Sequence, residues 1–170
     1  LVLVLGALGV LAFTNASQNL NPDDDYWIHT ALQGMLLKGG FPLLHPFFSD
    51  IVMNGHYGRD LLVAHLTALA GGGVFFTQGW LTSLTQVLTF LLAAVAVRRA
   101  TGSELQGLLA ALFMFLGANV GGRGGLLDTY QNNNSLVYLF LVLVVHLLVT
   151  TLRERSRPAA VVAGLALGCY

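Results

Sequence analysis

Apolar runs alternate with short polar stretches along the whole chain. The first run, Leu1 to Phe13, gives way to Thr14-Asn15-Ala16-Ser17-Gln18-Asn19. From Asp25 to Leu37 the pattern changes period. Ile28, Ala31, Leu32, Met35 and Leu36 repeat at helical spacing, whereas Asp25, His29 and Gln33 fall at i, i+4 and i+8 on another side. This predicts an amphipathic helix lying along a membrane surface. Gly39-Gly40 ends it, and Phe41 to Gly58 reads as an irregular loop. Arg59 to Ala70 predicts a short helix that re-enters the membrane, interrupted by Gly71-Gly72-Gly73.

The later runs predict membrane segments at about 74–97, 105–120, 136–152 and 159–170, with the first at 1–13. The terminal runs are shorter than the roughly 20 residues a spanning helix needs. They read as parts of helices that continue outside this sequence. The expected fold is therefore all-α: a polytopic membrane helix bundle, here the N-terminal part of one transmembrane domain. Its first extracytoplasmic loop, about 14–73, contains amphipathic helices.

Composition sharpens that picture. The chain is 55% hydrophobic and 9% charged, against roughly a quarter charged in a soluble domain. Formal net charge is zero, so no attraction to nucleic acid follows. The single cysteine, Cys169, excludes an intrachain disulfide and a cysteine-based zinc site.

The placement of charge predicts orientation. Arg98, Arg99, Arg153, Arg155 and Arg157 fall in two short loops on one side, as expected of cytoplasmic loops. The opposite side carries Asp23, Asp24, Asp25, Asp50, Asp60 and Asp128. The acidic loop and the Gly-rich loop at 121–125 then share the extracytoplasmic face.

The candidate chemistry lies in those two loops. Asp23-Asp24-Asp25 places three carboxylates side by side. One suffices to cap a helix, and three together suit a hard cation such as Mg²⁺ or Mn²⁺, or general-base catalysis. Asp25 leads the polar stripe with His29. Arg123, flanked by glycines, suits a phosphate. His56 and Arg59 are candidates for the same pocket, and His45 is a weaker one. Gln131 and Asn132-Asn133-Asn134 read as helix capping before Leu136. His65 and His146, inside apolar segments, read as packing or interhelical hydrogen bonds. There is no His-x-x-x-His pair, no Gly-x-Ser-x-Gly elbow and no P-loop.

Two short motifs carry a family resemblance. Asp25-Tyr26-Trp27-Ile28-His29 followed by Gly39-Gly40-Phe41-Pro42 resembles the first-loop region of the oligosaccharyltransferase catalytic subunit. Gly125-Leu126-Leu127-Asp128-Thr129-Tyr130 resembles that family's second acidic motif, with Tyr130 where the family has a second acid. The layout resembles the wider superfamily of C-type membrane glycosyltransferases (GT-C). The resemblance implies a polyprenyl- or dolichyl-phosphate-linked sugar donor. It implies catalytic and metal-binding roles for Asp25 or Asp24, and a further acid in Asp128. Arg123 is then placed to hold the donor phosphate. The rival reading is a non-enzymatic transporter or assembly scaffold, for which the Gly71–Gly73 break is the best feature.

Overall fold

Residue choice explains where the helices start and stop. A computed structural model describes residues 2–20, 24–40, 42–46, 48–52, 58–116 and 135–168. Among these, seven helices and one small hairpin form an all-α architecture: α1 (Val2–Leu20), α2 (Asp24–Leu37), β1 (Leu44–His45), β2 (Phe48–Val52), α3 (Gly58–Ala70), α4 (Val74–Thr101), α5 (Glu104–Leu116), α6 (Ser135–Glu154) and α7 (Arg157–Gly168). The helix expected to stop at Phe13 continues through the polar residues to Leu20. That stretch holds neither glycine nor proline, so nothing in it breaks the backbone ladder.

Glycine marks three later boundaries. Gly39, Gly71 and Gly102 all have positive φ, the left-handed conformation that closes helices. At Gly39 the chain turns tightly, and the Gly40 amide donates to the Met35 carbonyl at 3.0 Å. At Gly102 the amide donates back to the Arg98 carbonyl at 2.7 Å. The segment expected to be an irregular loop contains a hairpin instead. In it β1 and β2 pair antiparallel, with an irregular register between Leu44 and His45. Phe48, Ile51 and Val52 are aromatic and β-branched residues that suit a strand, although Phe48-Ser49-Asp50-Ile51-Val52 shows no strict alternation.

The longest helix, α4, is the hub: α1, α2, α3, α5 and α6 all pack on it, and α7 packs on α6. Its buried face has two halves. The C-terminal half buries Phe90, Ala93, Ala94 and Ala96. Phe90 meets Phe115 of α5 edge-on with ring centroids 5.5 Å apart, and Val10, Ala111 and Val142 complete this core. Close backbone approach is built in. A Cβ on Gly107 would lie 2.5 Å from the Ala94 carbonyl oxygen, so α5 can meet α4 here only through glycine. The N-terminal half of α4 buries Gln78, Thr82, Ser83, Thr85, Gln86 and Thr89.

At the far end of α4 the arginines knit helices together. The Arg99 Nε donates to Glu154 at 3.1 Å, and Arg98 pairs with Glu104 at 3.2 Å. The Arg153 guanidinium donates to the carbonyls of Arg99 and Ala100, which terminate α4. Among the described residues two helices are long and apolar enough to cross a membrane: Val74–Thr101, 28 residues, and Leu136–Glu154, 19 residues. At about 1.5 Å rise per residue they reach roughly 42 and 28 Å, against a hydrocarbon core of about 30 Å.

Candidate functional site

Helices α2, α3 and α4 meet around a buried carboxylate. Asp60 lies in the first turn of α3, where a negative charge suits the helix macrodipole. It is wholly buried. An acid inside a fold must have its oxygens satisfied, and both of these are. Gln33 Nε2 donates to Oδ1 at 2.8 Å. His29 Nδ1 lies 2.8 Å from Oδ2. His29 and Gln33 are one turn apart on α2, so a single carboxylate grips that helix at two successive turns.

A second strand of the network runs from α3 into α4. Arg59 is buried, and its guanidinium donates to the Thr82 hydroxyl. The Thr82 hydroxyl in turn donates to the Gln78 carbonyl of its own helix at 3.0 Å. Thr85 and Thr89 satisfy their hydroxyls in the same way, on the carbonyls of Thr82 and Thr85. Thr30 of α2 reaches Gln78 Oε1 at 3.4 Å, a long contact that closes the triangle. Two buried amide atoms, Gln33 Oε1 and Gln78 Nε2, have no hydrogen-bond partner among the described residues. These two atoms, an acceptor and a donor, lie on neighbouring helices.

The helix expected at Asp25–Leu37 is present, beginning one residue earlier. Its polar stripe turns inward beside part of the expected apolar face: Gln33 and Leu32 are buried and His29 is partly so, whereas Ala31 is exposed. The reason is tertiary, because Asp60 offers these side chains a better partner than water. Asp24 and Asp25 begin α2, and Asp25 holds the register position one turn ahead of His29. Their side chains lie outside the described residues, as do Asp23, His56, Arg123 and Asp128. Arg59 points into the α3–α4 interface. His45 stacks on Phe48 with centroids 4.9 Å apart. His65 donates to the Leu61 carbonyl of its own helix at 2.7 Å and is exposed.

The sequence reading passed over Asp60 and the Gln78–Thr89 seam as site residues. The signal was available. Gln78, Thr82, Thr85 and Thr89 recur at intervals of four, three and four, one stripe of an otherwise apolar helix. Among the described residues no group of three or more His, Cys, Asp or Glu side chains could hold a metal ion. Both Asp60 oxygens are engaged, one by Gln33 and one by His29.

Beside the network, Leu11, Leu66, Thr77, Trp80, Leu81, Leu84 and Val87 line an apolar groove of about 330 Å³ between α1, α3 and α4. Compared with known proteins, the chain matches no family model, no curated protein and no solved structure.

Proposed function

We propose that this chain is part of an integral-membrane glycosyltransferase that moves a sugar from a polyprenyl- or dolichyl-phosphate donor to an acceptor on the extracytoplasmic face. The observation that carries the reading is the anchoring of α2. A helix that begins with Asp24-Asp25 is fixed through His29 and Gln33 to a buried carboxylate. Such fixing is what a catalytic carboxylate needs, since transfer depends on holding the acceptor hydroxyl in line. Asp25, with Asp24, orients that hydroxyl or withdraws its proton. Arg123 holds the donor phosphate. A divalent cation, Mg²⁺ or Mn²⁺, belongs with Asp25 and Asp128 in this reading.

The membrane setting is supported by how the side chains sort. Gln, Thr and Arg side chains lie inside, whereas Leu69, Phe113, Leu152 and Leu165 lie outside and are at least 66% exposed. Water would favour the reverse arrangement, and lipid favours this one. We read the shorter apolar helices α1, α5 and α7 as further membrane segments of a multi-pass protein.

The test is transfer of labelled sugar from polyprenyl-phosphate donors by the full chain in membranes. Asp25→Asn abolishes transfer while insertion is unchanged; normal turnover in that variant removes Asp25 from the mechanism. EDTA sensitivity reports the cation. One observation favours the transporter reading: the polar face of α4 lies within a helix long enough to span, as in a substrate pathway. Substrate-dependent flux in liposomes free of any lipid-linked sugar would establish it.

A further inference from the structure

We propose that Arg155 and Arg157, at the corner between α6 and α7, bind the phosphate of an anionic phospholipid. This rests on the membrane setting of the chain and not on glycosyl transfer. The argument begins with charge. The chain as a whole is neutral, yet Arg98, Arg99, Arg153, Arg155 and Arg157 meet only Glu104 and Glu154 where α4 and α6 end. Five cations against two acids leave an excess of three positive charges at one end of the bundle.

Three of the five arginines are committed to the fold. Arg98 pairs with Glu104 and Arg99 with Glu154. Arg153 donates to the carbonyls of Arg99 and Ala100. Arg155 and Arg157 are exposed, and among the described residues neither guanidinium has an ion pair or a hydrogen bond. The backbone adds a second observation. Arg155 is the one non-glycine residue with positive φ among the described residues, at 50°. This left-handed turn joins α6 to α7 through two residues. Glycine would hold it without steric cost, so the arginine side chain serves something other than the turn.

The neighbouring side chains set the depth. Leu152, 80% exposed, lies three residues before Arg155. Val161, 63% exposed, shares a face of α7 with Arg157 at i, i+4. Apolar surface thus comes within about one turn, roughly 5 Å, of the two guanidinium groups. In a bilayer that is the headgroup level, where arginine lays its stem along apolar surface and keeps its charge among phosphates. A guanidinium offers parallel N–H donors that fit two phosphate oxygens, and two of them separated by one residue can flank one phosphate. A zwitterionic lipid carries its own cation beside the phosphate. An anionic lipid does not, so the local positive excess favours it.

The test uses the full chain, extracted in mild detergent from vesicles of equal phosphatidylcholine and phosphatidylglycerol. Native mass spectrometry reads the ratio of the two lipids retained. Wild type should retain phosphatidylglycerol in preference. Arg155→Gly keeps the left-handed turn and removes one guanidinium; Arg157→Gln removes the other and leaves the turn untouched. Each should lower the preference about five-fold, and the pair together about 25-fold. Lys38→Gln, beyond the end of α2, should keep the wild-type preference, and matching melts in phosphatidylcholine show that the variants fold. No preference in wild type, or full preference in the double variant, overturns the inference. Displacement of the lipid by inorganic phosphate would assign the pair to a free anion and overturn it too. A chain that does not float with neutral vesicles overturns the membrane setting and this inference with it. Absence of sugar transfer overturns the transfer reading alone.

Discussion

Gln33 donates to Asp60 from a fully buried position, so its amide is matched to a negative partner. Gln33→Glu keeps the shape and replaces a donor by a second carboxylate at that contact. Like charges in a closed site are costly, and a buried acceptor without its donor costs about 1–3 kcal/mol. The variant should melt at a lower temperature than wild type in detergent, and Gln33→Ala should lose less because it adds no charge. An equal or higher melting temperature for Gln33→Glu would show that Asp60 does not meet α2 as a carboxylate. Thr82 gives a second residue-scale contrast. Thr82→Val removes the acceptor of the buried Arg59 guanidinium while preserving volume, and Thr82→Ser retains it. Thermal melts should place Thr82→Ser near wild type and Thr82→Val below it.

Helix contacts depend on small residues at named places. Gly107 lets α5 lie against the α4 backbone, and a side chain there meets the Ala94 carbonyl, which is not a flexible group. Gly107→Val should cost about 1–3 kcal/mol, as overpacking commonly does. Gly164, which has nothing near its absent side chain, provides the control: Gly164→Ala should be neutral or stabilising. Matched chemical or thermal unfolding of the two variants checks the contrast. Similar losses in both would mean that α4 and α5 do not approach at Gly107. The turn after α4 makes a smaller prediction. Gly102→Ala forces a Cβ into the left-handed region and should cost about 1 kcal/mol.

At the scale of the molecule, Arg98, Arg99 and Arg153 gather where α4 and α6 end, and the triple glycine lies at the opposite end of α4. If the bundle crosses a bilayer several times, these ends face opposite compartments. In a Cys169→Ser background, Ser103→Cys and Ser156→Cys should label with an impermeant thiol reagent from one side of sealed vesicles. Gly72→Cys should label from the other. Labelling of all three from one side would rule out a membrane-crossing α4. The exposed apolar surface makes the same point energetically. Phe113 is 72% exposed, and Phe113→Asp should reduce membrane integration, because an acid facing lipid costs about 2.5–3.5 kcal/mol at a helix centre. Unchanged integration would put Phe113 outside the bilayer.

Helix positions were legible in the sequence because apolar runs and glycine stops are local properties. The start of α2, the Gly39 and Gly71–Gly73 breaks and the ends of α4 and α6 all fall within a few residues of where the pattern places them. The sequence also singled out His29 and Gln33 as one stripe, because their spacing is a property of one helix. What it could not supply was their partner. Asp60 is 27 residues beyond Gln33, and only the packing of α3 against α2 brings it there. The inward turn of the stripe has the same cause, since amphipathic spacing defines a polar face without saying what that face meets. The hairpin at Leu44–Val52 was obscured because its five-residue strand, Phe48–Val52, does not alternate apolar and polar residues and its partner strand is only two residues long. Local periodicity determined the elements; the tertiary structure decided which polar groups were taken out of water together, because that depends on contacts between residues distant in the chain.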